Sequence, residues 1–476
     1  MKLFGTDGIR GKFNEPPINY EHLVKIGYAF ARSLFGDEVG HVYISHDGRE
    51  SASDIESALS IGILAQGSKV NYAGLFPTPA LSICMNMEGL SNELHAGIQI
   101  TASHNPYSDN GVKFFDQHGH KIDDALEKSI ENNYNNQEED IISKDLRVSK
   151  VDCSDRFNKY YINYINEYFM LKMNDINPPV KKINILVDCA NGATSKIINK
   201  ILKDSFINII SIYNEPTGTN INSDCGATHT DALKRFIHDF NNINANTTDY
   251  DETREPKDLK IDLGVALDGD GDRAIFISPY GVEINGDDTL YILALFHKSF
   301  SKSNKPVVGT KMTNHGIQNL YKKNNIEFIQ ADVGDKNVLN AMIKSGAIFG
   351  GESSGHVLST MLNNLYVGDG IITLINLLEV IFKQDKDIDQ LKNEIISIPS
   401  KLFNTNVTDK KAFLEDEINI KVFSELEKMI GANGRLLLRA SGTENLIRLL
   451  IEHQNEEKIE ILSKYFYDNI NKNTIV

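Results

Sequence analysis

A serine and a histidine stand side by side in the segment from Thr101 to Pro106, which reads Thr-Ala-Ser-His-Asn-Pro. The segment follows an apolar run at residues 95–100 that is typical of a β-strand, and the ring of Pro106 prevents a strand or helix from continuing. Ser103 is therefore expected on a loop at a strand end, where a serine beside a histidine can act as a nucleophile if a nearby group activates it. Taken alone, the segment is more typical of an ordinary turn.

Three aspartates alternate with glycines directly after a second apolar run, residues 263–267. They are Asp268, Asp270 and Asp272, and this spacing places their carboxylates on one side of an extended backbone. Three negative charges so close together repel one another, and a cation with all-oxygen ligation such as Mg²⁺ removes the repulsion. Arg273 beside them can bind a phosphate group with its forked guanidinium. The sequence predicts a magnesium site here, with a solvated acidic turn as the alternative.

Two further polar loops each follow a strand-like run. In the first, Glu352, Ser354 and His356 offer an acceptor and donors at alternate positions near several glycines, which suits the hydroxyls of a sugar. In the second, the sequence Arg-Ala-Ser-Gly-Thr-Glu-Asn begins at Arg439 and is followed by Arg448. Two arginines, two hydroxyls and glycine-loosened backbone N–H groups make a compact anion site. Each loop by itself is also typical of a Gly-Ser loop or a hairpin turn.

The elements that must position these four loops alternate along most of the chain. Apolar residues recur at helical spacing in residues 20–35 and 53–66, and strand-like runs begin at residues 41 and 69. Such alternation predicts α/β layers, which place their chemistry at strand ends, and the pattern changes after residue 387 to pairs of strands and helices. We predict four domains: residues 1–154 with the serine loop, 155–283 with the metal loop, 284–388 with the sugar loop and 389–476 with the phosphate loop.

Composition argues against several classes of protein, namely those that bind nucleic acid, membranes or zinc. The chain has 476 residues, with 49 Lys plus Arg against 65 Asp plus Glu, and its net charge of −16 disfavours nonspecific binding to nucleic acid or to an anionic membrane. The four cysteines form no C-x-x-C pair, which argues against a zinc site and fits a reducing compartment. The first residues show no apolar signal core, and no later stretch is apolar enough to span a bilayer. A cytoplasmic protein without nucleic-acid or membrane partners is expected.

Together, the four loops permit phosphoryl transfer with a serine as covalent carrier and Mg²⁺ neutralising the moving charge. No G-x-x-x-x-G-K-[ST] sequence is present, which argues against a P-loop nucleotide site. With the opening residues 4–11, Phe-Gly-Thr-Asp-Gly-Ile-Arg-Gly, the loops in this order resemble the α-D-phosphohexomutase superfamily over nearly the full chain. Residues 187–193 and 225–228 add to the resemblance, which is strongest to members that act on hexosamine phosphates.

The resemblance implies a fold and a set of roles. The implied fold is α/β, with four domains around a central cleft: three α/β domains with mixed sheets and a smaller C-terminal α+β domain like the TATA-binding-protein fold. Ser103 would be the phosphoserine, and a phosphate oxygen on it would hold Mg²⁺ together with Asp268, Asp270 and Asp272. The remaining implied roles are these: Arg10 and Arg273 steady the phosphoserine, Lys113 or His104 handles the proton with Lys113 favoured, Glu352, Ser354 and His356 bind the sugar hydroxyls, and Arg439, Ser441, Gly442 and Thr443 bind the non-reacting phosphate.

The implied reaction interconverts glucosamine 6-phosphate and glucosamine 1-phosphate through a sugar 1,6-bisphosphate that reorients, which supplies the precursor of UDP-N-acetylglucosamine for bacterial cell walls. Phosphomannomutase or phosphoglucomutase specificity stays open, because one or two contacts distinguish an amine from a hydroxyl. Two further functions also stay open, a phosphosugar-binding protein without turnover and a metal-dependent phosphatase. A homodimer is expected from the resemblance alone.

Three features depart from the superfamily pattern. Residues 241–260 are longer and more polar than expected, which predicts a solvated insertion or loop. Lys336 stands where arginine is usual, which keeps the charge but loses a bidentate fork. Asn445 follows the phosphate loop where proline is common. None of these changes removes a chemical group, so activity is expected, with altered affinity for the sugar phosphate.

Overall fold

A computed structural model of the chain describes residues 2–5, 7–88, 93–136, 150–177, 179, 182–203, 205–246, 260–302, 304–361, 365–431, 434–441 and 445–475. Four β-sheets follow one another along this part of the chain. Each sheet carries one of the four predicted loops at the end of a strand.

The first sheet places the serine loop where the chain reverses direction. Its elements are β1 (Ile9–Lys12), α1 (Tyr20–Phe35), β2 (His41–His46), α2 (Ala52–Gln66), β3 (Lys69–Leu75), α3 (Thr78–Glu88), β4 (His95–Ile100), β5 (Asp109–Phe115), α4 (Asp124–Asn135) and β6 (Lys150–Asp152). The strand order is β1-β5-β4-β2-β3-β6, with β5 antiparallel to both of its neighbours and the last four strands parallel. Ser103 lies in the connection from β4 to β5.

The second sheet places the acidic loop in a similar connection. Its elements are α5 (Ser154–Met173), β7 (Ile183–Asp188), β8 (Ile207–Ile212), α6 (Asp231–Asn246), β9 (Leu263–Leu267), β10 (Ala274–Ile277) and β11 (Glu283–Ile284), with short 3-10 helices at Ala193–Lys196 and Ile198–Lys200. The order is β11-β10-β9-β7-β8, and β10 is antiparallel to β9. The three aspartates lie between β9 and β10.

The third sheet carries the sugar loop in a hairpin. Its elements are α7 (Gly286–Ser301), β12 (Val307–Thr310), α8 (His315–Lys323), β13 (Phe328–Ala331), α9 (Asp335–Ser345), β14 (Phe349–Gly351), β15 (Val357–Thr360), β16 (Tyr366–Gly368), α10 (Gly370–Gln384) and α11 (Ile388–Asn393). The order is β13-β12-β14-β15-β16, and β14 and β15 are antiparallel. Glu352 and His356 lie in the turn between those two strands.

The fourth sheet is smaller and antiparallel throughout. Its elements are β17 (Ser400–Asn406), α12 (Lys410–Glu415), α13 (Glu417–Ile430), β18 (Gly434–Ala440), β19 (Leu446–His453) and α14 (Glu456–Asn469), followed by a 3-10 turn at Lys472–Thr474. The strand order is β17-β19-β18. Three α/β units with mixed sheets and one smaller α+β unit confirm the predicted fold class. None of the helices in the described part of the chain is long and apolar enough to cross a membrane.

Capping residues next to the helix set the two ends of α1, which the sequence predicted. Helix α1 begins after Asn19, whose side chain accepts a hydrogen bond from the N–H of His22, 3.1 Å away. It ends at Gly36, which has a φ of +61° and donates its N–H to the carbonyl of Arg32, a geometry that favours glycine. Helix α3, which the sequence did not predict, begins at Thr78 and Pro79, where a proline suits the first turn.

The prediction of a solvated insertion or loop at residues 241–260 is wrong about the loop in its first part, which is helical. Helix α6 continues to Asn246, and residues 247–259 lie outside the described residues. Asn241 anchors the helix, because its amide donates to the carbonyls of Ile261 and Pro279 at 3.3 and 3.2 Å and its oxygen accepts from the N–H of Ile261 at 2.9 Å. A polar side chain that satisfies distant backbone groups leaves no sign in the local composition.

The predicted domain limits after residues 154, 283 and 388 stay predictions. Strand β11 spans the second limit, because Glu283 and Ile284 both pair with β10. Each of the other three sheets lies entirely within one predicted domain.

Helix α5 joins elements of the first three sheets in one hydrophobic core. The ring of Phe157 stacks on Tyr43 with centroids 5.0 Å apart and meets Phe76 edge-on at 5.9 Å. One turn further along, the hydroxyl of Tyr161 donates to the carboxylate of Asp369, 2.8 Å away at the start of α10. Because protein cores are close-packed, this shared core fixes how the serine loop and the metal loop face each other. The fourth sheet packs in a separate core.

Replacing Phe157 with alanine removes a ring that is 0% exposed from this shared core. We expect the free energy of unfolding to fall by about 3–5 kcal/mol, because the cavity cannot close completely. The measurement is urea unfolding followed by far-ultraviolet circular dichroism. Tyr160→Ala on the same helix is the control, since Tyr160 is 41% exposed. Equal shifts of both midpoints would contradict this role of Phe157.

Candidate active site

Ser103 lies just past the end of β4 and is 3% exposed. Its φ of +52° lies in the left-handed region, which is uncommon for serine, and its N–H donates to the hydroxyl of Thr101 at 2.8 Å. The Ser103 hydroxyl donates to Oδ2 of Asp268 at 2.7 Å and lies 3.5 Å from Nδ1 of His104. Because Asp268 follows a strand of the second sheet, this contact brings two of the predicted loops together.

The alternating pattern predicts an extended backbone at the acidic loop, but the structure shows a turn there. The N–H of Gly271 donates to the carbonyl of Asp268 at 3.1 Å and closes a turn in which Gly271 has a φ of +76°. The carboxylates still converge, since one oxygen from each of Asp268, Asp270 and Asp272 lies within 4.8 Å of the others. Glycine permits the turn, and the turn replaces the strand geometry as the cause of convergence.

The three carboxylates fit a hard cation. Asp268 and Asp270 are 0% exposed and Asp272 is 4% exposed. Oδ1 of Asp270 and Oδ1 of Asp272 are buried and accept no hydrogen bond from the described residues. Burial, followed by repulsion from Asp272 and Asp270, raises the pKa of Asp268 well above its usual range. Buried carboxylate oxygens that accept no hydrogen bond suit Mg²⁺, so these three residues would hold the ion.

Lys113 supplies a positive charge to this loop from β5. Its Nζ donates to Oδ2 of Asp270 at 2.8 Å and to Oδ2 of Asp272 at 3.0 Å, and it lies 3.3 Å from Oδ2 of Asp7. Burial opposes the charge, but the three carboxylates together raise the pKa of Lys113 well above its usual range. Lys113 is therefore held as an ammonium, and its raised pKa opposes the loss of its proton. Its favoured part in proton handling stays a prediction.

Sequence reasoning missed the charges that continue from this lysine toward the third sheet. Oδ1 of Asp7 lies 2.7 Å from Nζ of Lys121, which also pairs with Asp335 at the start of α9. Arg10, predicted to steady the phosphoserine, lies with Nη2 3.4 Å from Oδ2 of Asp7, and its predicted role is untested. These residues come from distant parts of the chain, so no local pattern joins them.

The sugar loop lies against the metal loop. Nδ1 of His356 is 3.5 Å from Oδ1 of Asp272, and the pKa of His356 is raised because Asp272 outweighs the effect of burial. Oε1 of Glu352 accepts the N–H of Gly334 at 3.0 Å. The hydroxyl of Ser354 is buried without a hydrogen-bond partner among the described residues. The structure thus brings His356 to the metal loop, while the binding of a sugar by the three residues stays a prediction.

Two arginines face each other at the predicted phosphate loop. Arg439 of β18 and Arg448 of β19 are direct cross-strand partners, an arrangement of like charges that is unfavourable unless an anion lies nearby. Burial and then Arg448 lower the pKa of Arg439, while Glu352 of the sugar loop opposes this effect. Ser441 is 3% exposed and its carbonyl accepts from Lys410 at 2.9 Å, a contact that the sequence did not indicate. Gly442 and Thr443 lie outside the described residues.

Arg273 links the metal loop to the sugar loop electrostatically. Its Nε is 3.7 Å from Oδ2 of Asp268. Burial lowers its pKa, but Asp268, Asp272 and Glu352 raise it above the usual value. Since Glu352 also acts on Arg439, this carboxylate connects the charges of the metal loop with those of the phosphate loop. The predicted contact of Arg273 with a phosphoserine is untested.

A cavity of about 630 Å³ opens beside the metal loop between elements of the first and third sheets. It is lined by charged side chains from both sides, among them Lys113, Lys121, Asp272, Lys336 and His356. Lys336 pairs with Asp124 and lies 3.0 Å from Glu127 on α4. The lysine that stands where arginine is usual therefore joins α9 to α4.

Replacing Asp268 with asparagine removes one of three buried negative charges. We expect little change of stability without metal, because the repulsion falls while one of the two hydrogen bonds that Asp268 accepts, from the Ser103 hydroxyl or from the N–H of Arg273, is lost. Mg²⁺ should stabilise the wild-type chain by about 2.7 kcal/mol at one hundred times its Kd. The variant should gain much less, as judged by urea midpoints with and without MgCl₂.

The control is Asp332→Asn, whose side chain is 69% exposed and pairs with Lys311 on the surface. This variant should respond to Mg²⁺ like the wild type. An undiminished response of Asp268→Asn would exclude the acidic loop as the magnesium site.

Known proteins are similar in sequence to this chain over nearly its full length. It matches the phosphoglucomutase/phosphomannomutase α/β/α domains I, II and III over residues 1–140, 159–281 and 285–398, and the C-terminal domain over residues 402–468. A phosphoglucosamine mutase of Idiomarina loihiensis is 36% identical over 471 residues, which is 98% of each chain. One of Coxiella burnetii is 36% identical over 457 residues, which is 96% of this chain and 95% of that one.

Solved structures show the same fold at lower identity. A phosphoglucomutase/phosphomannomutase family protein of Burkholderia thailandensis has a TM-score of 0.73 at 19% identity, covering 98% of this chain and 96% of that one. Aspergillus fumigatus N-acetylphosphoglucosamine mutase, solved with GlcNAc-6P and magnesium, has a TM-score of 0.66 at 17% identity, covering 98% and 95%. On the sequence matches across all four domains, the chain belongs to the phosphoglucosamine mutase family of the α-D-phosphohexomutase superfamily.

Proposed function

We propose that this chain is an isomerase that interconverts glucosamine 6-phosphate and glucosamine 1-phosphate, with Ser103 carrying a phosphoryl group between turnovers. One observation carries the proposal: the buried Ser103 hydroxyl donates to Asp268 at 2.7 Å, at the edge of three converging carboxylates. A hydroxyl at the end of one domain and a cation site at the end of another are the two parts that this chemistry requires.

The names of the relatives support the hexosamine substrate. The proteins of Idiomarina loihiensis and Coxiella burnetii are named phosphoglucosamine mutases, and the Aspergillus fumigatus enzyme was solved with GlcNAc-6P and magnesium. The product glucosamine 1-phosphate would supply UDP-N-acetylglucosamine synthesis. A cytoplasmic location, a homodimer and the lack of nucleic-acid and membrane partners stay predictions.

The first half-reaction uses the phosphorylated form of Ser103. The bond between phosphorus and Oγ of Ser103 breaks as a bond forms to a hydroxyl of the bound sugar phosphate, which yields a sugar 1,6-bisphosphate. The sugar hydroxyl loses one proton as it attacks and the oxygen of Ser103 gains one, which the imidazole beside Ser103 can deliver once it carries a proton, so that no net proton is taken up or released. A Mg²⁺ ion held by the three aspartates would neutralise charge on the transferring group.

The second half-reaction returns the other phosphoryl group to Ser103. Its hydroxyl must lose a proton as its oxygen attacks phosphorus, and a neutral imidazole lies 3.5 Å away. Burial and then Arg273 lower the pKa of His104 to about 4, so His104 is neutral at neutral pH and can accept that proton. Lys113 is held as an ammonium by Asp270 and Asp272 and would bring positive charge to the transferring group. Of the two residues predicted for proton handling, His104 is thus the better suited to act as the base.

The remaining residues hold the sugar phosphate while it reacts and reorients. Arg439 and Arg448 would bind the phosphate that does not react, because a pair of guanidinium groups loses its repulsion when an anion lies between them. Ser441, Gly442 and Thr443 would add hydroxyl and backbone donors. Glu352, Ser354 and His356 would bind the sugar hydroxyls.

Phosphomannomutase and phosphoglucomutase activities are the nearest competing functions. Glucosamine, glucose and mannose phosphates differ at so few atoms of the sugar that one or two contacts with the protein can distinguish them. Comparing kcat/KM for the three sugar phosphates separates them. Release of inorganic phosphate faster than isomerisation would instead indicate a phosphatase, and the absence of turnover with all three would indicate a binding protein.

Replacing Ser103 with alanine should reduce isomerisation by at least about 10⁴-fold, because the covalent carrier is lost. Intact-protein mass spectrometry after incubation with glucosamine 1,6-bisphosphate should show one added phosphoryl group on the wild-type chain and none on the variant. Ser108→Ala, a serine on the same connection that the mechanism does not use, is the control. Normal isomerisation by Ser103→Ala would remove the proposed covalent step.

Replacing Arg439 with methionine removes one guanidinium from the proposed phosphate site. We expect KM for the sugar phosphate to rise by about 10- to 100-fold, the effect of losing a charge-assisted hydrogen bond. Steady-state kinetics check this result, with the exposed Arg235→Met as control. An unchanged KM would place the non-reacting phosphate elsewhere.

A further inference from the structure

Four backbone carbonyls of the serine loop accept hydrogen bonds from one arginine, and two of the four also accept from an asparagine. They belong to Ser103, Asn105, Pro106 and Asp109, and they accept hydrogen bonds from Arg49 and from Asn222. Neither of these residues contacts the hydroxyl of Ser103 in any described hydrogen bond. Their donors act on the backbone that carries it.

Arg49 uses all of its donors in this arrangement. Nε donates to Asp47 at 2.9 Å, Nη1 donates to the carbonyls of Pro106 and Asp109 at 2.5 and 2.8 Å, and Nη2 donates to those of Ser103 and Asn105 at 3.1 and 3.0 Å. A guanidinium has five N–H groups in a fixed plane, so its geometry is fully used. The side chain is 0% exposed and cannot turn away to solvent.

Asn222 approaches the same carbonyls from the second domain. Its Nδ2 donates to the carbonyl of Ser103 at 2.8 Å and to that of Asn105 at 3.1 Å. Each of these two carbonyls therefore accepts one N–H from Arg49 and one from Asn222, which uses both oxygen lone pairs. Asn222 is 6% exposed and has a φ of +56°, a conformation that asparagine adopts more readily than most residues.

The metal loop packs directly against this contact. A Cβ at Gly269 would lie 2.8 Å from Nδ2 of Asn222 and 2.9 Å from the carbonyl oxygen of Ser103. No methyl group fits there, so the backbone between Asp268 and Asp270 rests against both groups. Asn222 thus joins the serine loop to the second domain at the point where the metal loop passes.

We propose that Asn222 and Arg49 are positioning residues for phosphoryl transfer, which aim the hydroxyl of Ser103 at the metal loop by fixing the carbonyls around it. The inference rests on the proposed role of Ser103. A rotation of the left-handed Ser103 backbone changes the direction of its Cα–Cβ bond, and a displacement of about 1 Å at a reacting atom costs about 100-fold in rate. The donors of both side chains are directed at backbone carbonyls of the serine loop, so the expected effect is on kcat rather than on KM.

The test is Asn222→Gly, which removes both donors and keeps a backbone that glycine adopts freely at positive φ. We expect kcat to fall by about 10- to 100-fold with KM unchanged, while the loss of two buried hydrogen bonds lowers the urea midpoint modestly and leaves the chain folded. Phosphorylation of Ser103 by glucosamine 1,6-bisphosphate, followed by rapid quench and mass spectrometry, should slow by the same factor. Asn325→Gly is the matched control, since Asn325 is exposed and has a φ of +51° far from the site.

Two further variants separate positioning from folding. Asn222→Asp keeps the shape but turns a carboxylate toward two carbonyls, so it should be at least as slow as Asn222→Gly. Arg49→Lys keeps the charge without the fork and should also lower kcat, although burial makes it the variant more prone to unfold.

The outcomes are distinct. Wild-type kcat and phosphorylation rates in Asn222→Gly, or a lowered midpoint with unchanged kcat, would overturn the inference and leave the proposed function intact. A wild-type chain that isomerises without ever carrying a phosphoryl group on Ser103 would overturn both.

Discussion

The arrangement of this protein depends on keeping three buried carboxylates within a few ångströms of one another. Asp268, Asp270 and Asp272 repel, and burial removes the water that would weaken the repulsion. The surrounding domains supply the compensating charges, with Lys113 from the first and His356 from the third. The metal loop is therefore stable only where neighbouring domains meet it, which ties its geometry to the packing of the whole molecule.

That dependence explains why the helices of the core matter to the site. Phe157 and Tyr161 on α5 hold elements of the first three sheets together, and the loops at the strand ends inherit this fixed placement. The phosphate loop belongs to a separate core, and it reaches the rest of the site through electrostatics between Arg439 and Glu352. The four units thus contribute unequally: elements of the first three sheets share one core around the metal loop, and the fourth sheet packs in a core of its own.

The site also contains two energetically unfavourable features. Ser103 has an unfavourable positive φ, and like charges stand opposite each other at Arg439 and Arg448. The first is offset by hydrogen bonds from Arg49 and Asn222, and the second suits a bound phosphate. Such local conflicts are expected where function, rather than stability, dictates the residues. Under the proposed function, Arg439 and Arg448 would also supply the local positive charge that an anionic substrate needs in a chain with a net charge of −16.

The sequence by itself determined the elements and the chemical groups, because hydrophobic period, caps and loop composition are local properties. The run of α1 from Tyr20 to Phe35, the serine after β4 and the three aspartates after β9 could all be read from it. Only the tertiary structure decided which groups meet. The pairing of Asp7 with Lys121, the turn that brings the aspartates together and the contact of Asn222 with Ser103 depend on backbone curvature and on residues far apart in the chain. Distances between such residues are set by the packing of the domains, which no local pattern encodes.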